Sequence, residues 1–170
     1  MLKEIHEQPS VIARIISSHI VSADRIKLKL PVIGDDYLKG VENIMIIACG
    51  TAYHAGLIGK YAMESFIKIP VWVDLGSEFR YRSPIVQSKT LVIAISQSGE
   101  TADTLAAVEE AKKNKIKVLS ICNVPGSALT RISDDTLYTH ARPEISVAST
   151  KAFTSQVMMI YLVGLYLARL

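Results

Sequence analysis

The chain has 170 residues, of which 49% are hydrophobic, so it can fill the core of one domain without metal ions or disulfides. Its 19 basic and 16 acidic residues give a net charge of +3 and are scattered, which argues against a stripe that follows nucleic acid. Cys49 and Cys122 each lie in or beside an apolar run, unlike the cysteines of a secreted disulfide framework. We therefore expect a cytoplasmic domain with no nucleic-acid partner.

Residues 1–40 form a front region that is expected to pack on the main domain, residues 41–170. The first seven residues are polar and lack the apolar centre of a signal peptide. A helix is predicted from Glu7 to Ile20, with Pro9 tolerated in its first turn. A linker follows, which contains Pro31, Gly34 and two aspartates.

Short runs of β-branched and aliphatic residues recur through the main domain. They are continuous rather than alternating, as in a parallel sheet that is covered on both faces. The predicted strands are Ile44–Ala48, Val71–Asp74, Leu91–Ile95, Val118–Cys122 and, with a weaker pattern, Asp135–Tyr138. The predicted helices are Ala52–Ile67, Ala102–Asn114, Ser127–Arg131 and Ser149–Leu170. This alternation predicts an α/β domain with a parallel sheet.

The last helix is strongly apolar from Val157 to Ala168, a run of twelve residues. A membrane span needs ~20, so we expect a buried helix and no membrane partner. The helix runs on to Leu170 without a residue that would stop it, which suggests a fragment of something longer.

Three polar loops follow predicted strands, at the edge where open parallel sheets bind ligands. The first is Cys49-Gly50-Thr51-Ala52, read either as a ligand loop or as a tight turn with a helix cap. The second, Ser96-Gln97-Ser98-Gly99-Glu100-Thr101, places three hydroxyls and an amide directly before a helix, whose unpaired N–H groups and partial positive charge suit a phosphate. The alternative is an ordinary serine-rich helix cap, but capping needs one such side chain and this loop has four. The third, Glu144 to Lys151, could turn Ser149 towards sugar hydroxyls or simply cap the last helix. The sequence therefore predicts a sugar-phosphate site centred on the second loop.

Other chemistries find little support in the sequence. Glycine-rich dinucleotide and P-loop patterns are missing, and the four histidines and two cysteines show no metal-ligand spacing, so no cofactor and no metal are expected. Cys49 is more typical of a small buried residue than of a nucleophile. Ser96 and Ser98 lack the elbow pattern of a serine nucleophile. Glu100 is unexpected beside a phosphate, which it would repel unless it points away or takes part in sugar chemistry.

Five ordered motifs carry a family resemblance over nearly the whole chain: CGTAYHAG, SEFRYR, SQSGETADTL, ICNVPGS and EISVASTKAFTSQ. They resemble the first sugar isomerase (SIS) domain of the glutamine:fructose-6-phosphate aminotransferases. The resemblance implies a three-layer fold, with a five-stranded parallel sheet flanked by helices. It also implies a hexose 6-phosphate as the ligand.

The resemblance assigns roles residue by residue. Ser96, Gln97, Ser98 and Thr101 would hold the phosphate, and Thr51, Val147 and Ser149 would contact the sugar. The family usually has serine where this chain has Ala52, which removes one hydroxyl from the phosphate site.

In the family, the complete enzyme converts fructose 6-phosphate and glutamine to glucosamine 6-phosphate and glutamate. The resemblance places a glutaminase domain before this region and a second SIS domain after it, and puts the catalytic groups in that second domain. We therefore expect the chain to bind the sugar phosphate without transforming it. A homodimer is expected, since the apolar last helix would otherwise face water. A stand-alone SIS sensor and a simple phosphosugar isomerase remain as alternatives.

Overall fold

The computed structural model of the chain describes residues 1–22, 25–82 and 87–170. The strands are β1 (Ile20–Ser22), β2 (Arg25–Ile26), β3 (Asn43–Ala48), β4 (Val71–Leu75), β5 (Thr90–Ser96), β6 (Lys117–Cys122) and β7 (Asp135–Tyr138). The helices are α1 (Leu2–His19), α2 (Gly34–Lys39), α3 (Gly50–Ile67), α4 (Gly76–Tyr81), α5 (Ala102–Lys113), α6 (Ala128–Ile132) and α7 (Lys151–Leu167). All five predicted strands are present, with bounds within one residue of the prediction.

Five of the strands form a parallel sheet in the order β4-β3-β5-β6-β7. The first strand of this sheet, β3, lies inside it, so the chain adds β4 on one side and then crosses to add β5 on the other. This reversal is the topological switch point of a flavodoxin-like order, and ligands of open α/β sheets bind in the crevice that it creates. The predicted α/β fold with a five-stranded parallel sheet is confirmed.

Helices cover both faces of the sheet and give it two apolar cores. Ile44 and Ile46 of β3 point to the side of α1, α3 and α7, whereas Met45 and Ile47 point to the side of α4, α5 and α6. Because side chains alternate along a strand, a continuous apolar strand fills both cores at once. The three layers follow from this pattern.

The front region differs from the prediction in three respects. Helix α1 begins at Leu2 rather than Glu7, so Pro9 lies inside it. Proline cannot donate to the carbonyl of Ile5 four residues earlier, but the side-chain amide of Gln8 donates to that carbonyl at 3.1 Å. The predicted linker contains the small β1-β2 hairpin and helix α2. Val11 and Ile15 of α1 are buried in the same core as the sheet.

Helix α1 also contacts the start of α7 and the segment before it, through three polar side chains on its first two turns. Glu4 accepts hydrogen bonds from the backbone N–H groups of Ile145, at 2.6 Å, and Ser146, at 3.3 Å. Glu7 pairs with the buried Lys151, and Gln8 accepts from the Thr154 hydroxyl. The start of α7, predicted at Ser149, is observed at Lys151.

Helices α3 and α7 approach each other closely at Gly59. A β-carbon on Gly59 would lie 2.4 Å from Cγ2 of Ile160, which is too close for any real contact. The β-branched Ile160 has little freedom to turn away in a helix. We therefore attribute the presence of glycine inside α3 to this helix crossing.

Replacing Gly59 with alanine is expected to lower the free energy of unfolding by about 1–2 kcal/mol, because overpacking of 1–3 kcal/mol outweighs a gain in helix propensity of up to ~1 kcal/mol. Urea denaturation measures the change. Gly40→Ala serves as the control, since a β-carbon there meets only an ordinary contact of 3.4 Å with a carbonyl oxygen. In an Ile160→Ala background the cost of Gly59→Ala should fall; an equal cost in both backgrounds would contradict the proposed clash.

The pKa of Glu4 is lowered to about 2, chiefly by hydrogen bonding from Ser146 and then from the Ile145 amide. The folded state thus favours the carboxylate, so this contribution to stability is complete above pH 4.5 and is lost as the pH falls towards 2. We expect Glu4→Gln to be less stable than the parent at pH 7, with a difference that shrinks between pH 4.5 and 2. Denaturation curves at stepped pH test this, with the exposed Glu109→Gln as control. A difference that is constant over this range would rule out the linkage.

Candidate functional site

A cleft of about 340 Å³ opens at the carboxyl ends of β3 and β5, which is the switch point of the sheet. The loop after β3 supplies one wall and the loop after β5 supplies another, while α7 contributes a single side chain. The lining residues are Cys49, Gly50, Thr51, Ala52, Ile95, Ser96, Gln97, Ser98, Thr101 and Gln156. Five of the seven predicted site residues are therefore brought together: Thr51, Ser96, Gln97, Ser98 and Thr101.

The loop after β5 is held in shape by its own hydroxyls. Ser96 is only 4% exposed, and its Oγ accepts a hydrogen bond of 2.9 Å from the N–H of Gly99. The Ser98 Oγ accepts from the N–H of Glu100 at 3.2 Å, and the Ser96 and Thr101 hydroxyls lie 3.4 Å apart. Because the Ser98 hydroxyl accepts a bond and donates none within the described chain, its own proton is available to an incoming anion.

Gly99 is required at the tip of this loop by both its conformation and its surroundings. Its φ of +70° lies in the left-handed region, and a β-carbon there would lie 2.0 Å from the Oγ of Ser127 and 2.9 Å from the Sγ of Cys122. Its carbonyl also accepts a hydrogen bond from the N–H of Leu129 at 2.9 Å. The loop is thus packed against the start of α6.

Glu100, the one carboxylate in this loop, is turned away from the cleft. Its Oε1 accepts a hydrogen bond of 2.8 Å from the N–H of Ala128, the first residue of α6. A carboxylate is stabilised at a helix N-terminus, where unpaired N–H groups carry partial positive charge. Glu100 therefore caps α6 and does not line the cleft.

Two helices begin at the cleft. Helix α3 starts at Gly50, whose φ is +57°, and α5 starts just after Thr101; neither has a hydrogen bond from the side chain of its N-cap residue. The first N–H groups of a helix lack intrahelical partners and favour anions. No lysine, arginine, histidine or carboxylate is among the residues that line the cleft in the described part of the chain. The cleft offers neutral donors and helix ends to an anion.

The loop before α7 does not line this cleft. Val147 is fully exposed, at 105% of its reference area, and the Ser149 hydroxyl donates to Oε2 of Glu144 at 3.0 Å. Glu144 also accepts hydrogen bonds from the N–H and the hydroxyl of Thr150, at 2.8 and 2.9 Å, and so caps α7. The sugar contacts of Val147 and Ser149 stay predictions.

Two residues of this region were not assigned roles from the sequence. From the sequence, Glu144 is only one residue of a polar loop, seven positions before the start of α7, although a carboxylate in such a loop can fold back to cap the helix. Gln156 lies in the predicted last helix, directly before its apolar run, and has no role assigned from the sequence. In the structure it is 3% exposed and borders the cleft. A lone amide beside a long apolar run was the signal that could have identified it.

Metal sites and membrane-spanning helices have no counterpart among the described residues. Among residues 1–22, 25–82 and 87–170, no cluster of three or more histidines, cysteines or acidic residues is placed to hold a metal ion. In the same residues, no helix is both long and apolar enough to cross a membrane. Cys49 is half-buried, and its Sγ accepts from the Thr104 hydroxyl at 3.5 Å.

Comparison with known proteins agrees with the motifs. The chain is 54% identical to glutamine-fructose-6-phosphate aminotransferase (isomerizing) of Clostridium tetani and of Mycolicibacterium paratuberculosis; both alignments cover 99% of this chain and, respectively, 28% and 27% of the relative. The structure matches the C-terminal domain of glucosamine-fructose-6-phosphate aminotransferase from Francisella tularensis with a TM-score of 0.90 and 42% identity, over 98% of this chain and 46% of that one.

The chain thus spans little more than a quarter of the length of these curated relatives. A family model described as SIS domain matches residues 37–166, from helix α2 to the end of α7. The resemblance read from the motifs is confirmed, and the chain belongs to the SIS domain family.

Proposed function

We propose that this chain is the part of a glutamine:fructose-6-phosphate aminotransferase that holds the sugar phosphate, with fructose 6-phosphate or glucosamine 6-phosphate as its ligand. The observation that carries the proposal is the neutral cleft at the switch point, with the starts of α3 and α5 and the hydroxyls of Ser98 and Thr101 around it. The identity to relatives with that name supports the choice of ligand.

In this proposal the phosphate sits against the loop from Ser96 to Thr101. The hydroxyls donate to its oxygens, and the unpaired N–H groups at the start of α5 add partial positive charge. Without a lysine or arginine in the cleft, the ligand is held by neutral donors and can leave readily. The sugar extends towards Thr51 and the loop of Val147 and Ser149.

The complete enzyme, by the same proposal, combines this region with a glutaminase domain and a second SIS domain to make glucosamine 6-phosphate. The chain acts in the cytoplasm, in keeping with its two free cysteines. It associates as a homodimer, because apolar side chains of α3 and α7, among them Ile58, Tyr61, Tyr161 and Leu165, are exposed.

Replacing Ser98 with alanine is expected to weaken fructose 6-phosphate binding at least about tenfold, since a hydrogen bond to a charged group contributes about 1.5–3 kcal/mol. Isothermal titration calorimetry measures the affinity. Ser17→Ala is the matched control, because the Ser17 hydroxyl donates to a backbone carbonyl of α1 outside the cleft. Equal affinities for the parent and Ser98→Ala would remove the phosphate role from this loop.

The purified 170-residue chain is expected to bind fructose 6-phosphate and glucosamine 6-phosphate but to convert neither. Isomerisation moves a proton between neighbouring carbons and needs a general base, and the cleft residues include no carboxylate, histidine or lysine. NMR spectra of each sugar phosphate, recorded over hours with the chain present, test this. Formation of another hexose phosphate that disappears in Ser98→Ala would contradict the expectation.

A further inference from the structure

Gln156 reaches the cleft from a different element than the loop from Ser96 to Thr101, which is called the phosphate loop below. It lies in the second turn of α7, on the face that packs towards the sheet, and it borders the same cleft as Thr51 and Ser96. Its neighbours Met159 and Ile160 belong to the apolar core. A polar amide at the boundary between this core and the cleft needs a physical explanation.

The carbonyl oxygen of the Gln156 side chain is buried and has no hydrogen-bond partner within the described chain. The neighbouring Ser155, also buried, differs because its hydroxyl donates to the carbonyl of Ala152 at 2.7 Å. A buried acceptor without a donor lowers the stability of the fold. Such atoms are therefore rare, and a partner outside the described chain would explain this one. Gln156 borders the cleft, so a ligand bound there is the candidate partner.

We propose that Gln156 is a ligand of the sugar: its side-chain carbonyl accepts a hydrogen bond from a hydroxyl of the bound hexose phosphate. The inference rests on the proposed function. A phosphate dianion has no proton to donate and would be repelled by a carbonyl oxygen, whereas each sugar hydroxyl can donate one hydrogen bond. The phosphate loop thus binds the phosphate group, and Gln156 binds a hydroxyl of the sugar.

This division makes Gln156 a determinant of specificity. The loop from Ser96 to Thr101 accepts any phosphate monoester, because its donors contact only phosphate oxygens. A site that accepts a hydrogen bond from a ligand hydroxyl discriminates against ligands without that hydroxyl, since the buried carbonyl of Gln156 is then left unpaired. A sugar phosphate is therefore preferred over phosphate alone.

The variant Gln156→Met keeps the length of the side chain and removes the amide. We expect its affinity for fructose 6-phosphate to fall about tenfold, the usual effect of one lost hydrogen bond, while its affinity for inorganic phosphate stays within twofold of the parent. Both ligands are titrated by calorimetry. Gln8→Met is the matched control. Gln8, in α1, accepts a hydrogen bond from Thr154 of α7, the helix that carries Gln156, but it lies outside the cleft.

An unchanged affinity of Gln156→Met for fructose 6-phosphate would overturn the inference, and so would an equal loss for both ligands, which would make Gln156 a phosphate contact or a purely structural residue. If the parent chain binds no hexose 6-phosphate at all, the proposed function fails as well. The first outcome leaves that function standing.

A measurement on the parent protein decides the matter should Gln156→Met fail to fold. The side-chain amide resonances of Gln156, assigned by NMR, are expected to shift on addition of fructose 6-phosphate and to stay in place on addition of inorganic phosphate. Resonances that respond to neither ligand, or alike to both, would refute the assignment.

Discussion

The reversal of strand order between β3 and β5 is the constraint on which the site depends. After β3 the chain crosses one face of the sheet as α3, and after β5 it crosses the other face as α5. Both helices therefore start at the same edge and diverge from it, which leaves a crevice lined by backbone N–H groups. The polar residues after the two strands, such as Thr51 and Ser98, only complete a site that the topology has already opened.

The acidic side chains near this crevice are held away from it by helix ends of their own. Glu100 bonds to the start of α6, and Glu144 bonds to the start of α7. Each carboxylate meets partial positive charge there, and neither is among the residues that line the cleft, while both fix neighbouring loops. Glu4 of α1 also fixes a loop, because it accepts a hydrogen bond from the backbone N–H of Ile145. The hydrogen bonds of Glu100 and Glu144 thus fix the loops and also keep negative charge out of the cleft lining.

The sequence predicted the sheet and the position of the hydroxyl-rich loop between β5 and α5 well, because both depend on local patterns: continuous apolar runs, and hydroxyls before a helix. The extension of α1 to Leu2 was not predictable from local pattern, since a proline normally marks the first turn of a helix, and here the Gln8 amide bonds to the carbonyl that Pro9 cannot reach. Gln156 was missed for a related reason. Helical periodicity identifies a buried face but cannot tell which buried position borders a cavity, because that depends on elements distant in sequence.

The absence of ionised side chains among the described cleft residues has a consequence for how binding depends on acidity. A phosphate monoester takes up its second proton near pH 6, whereas the serine, threonine and glutamine side chains that line the cleft are neutral hydrogen-bonding groups. If a sugar phosphate binds here as proposed, these neutral groups keep the same charge while the ligand gains or loses a proton. The protonation state of the ligand then governs how strongly the hydroxyl and amide groups hold it.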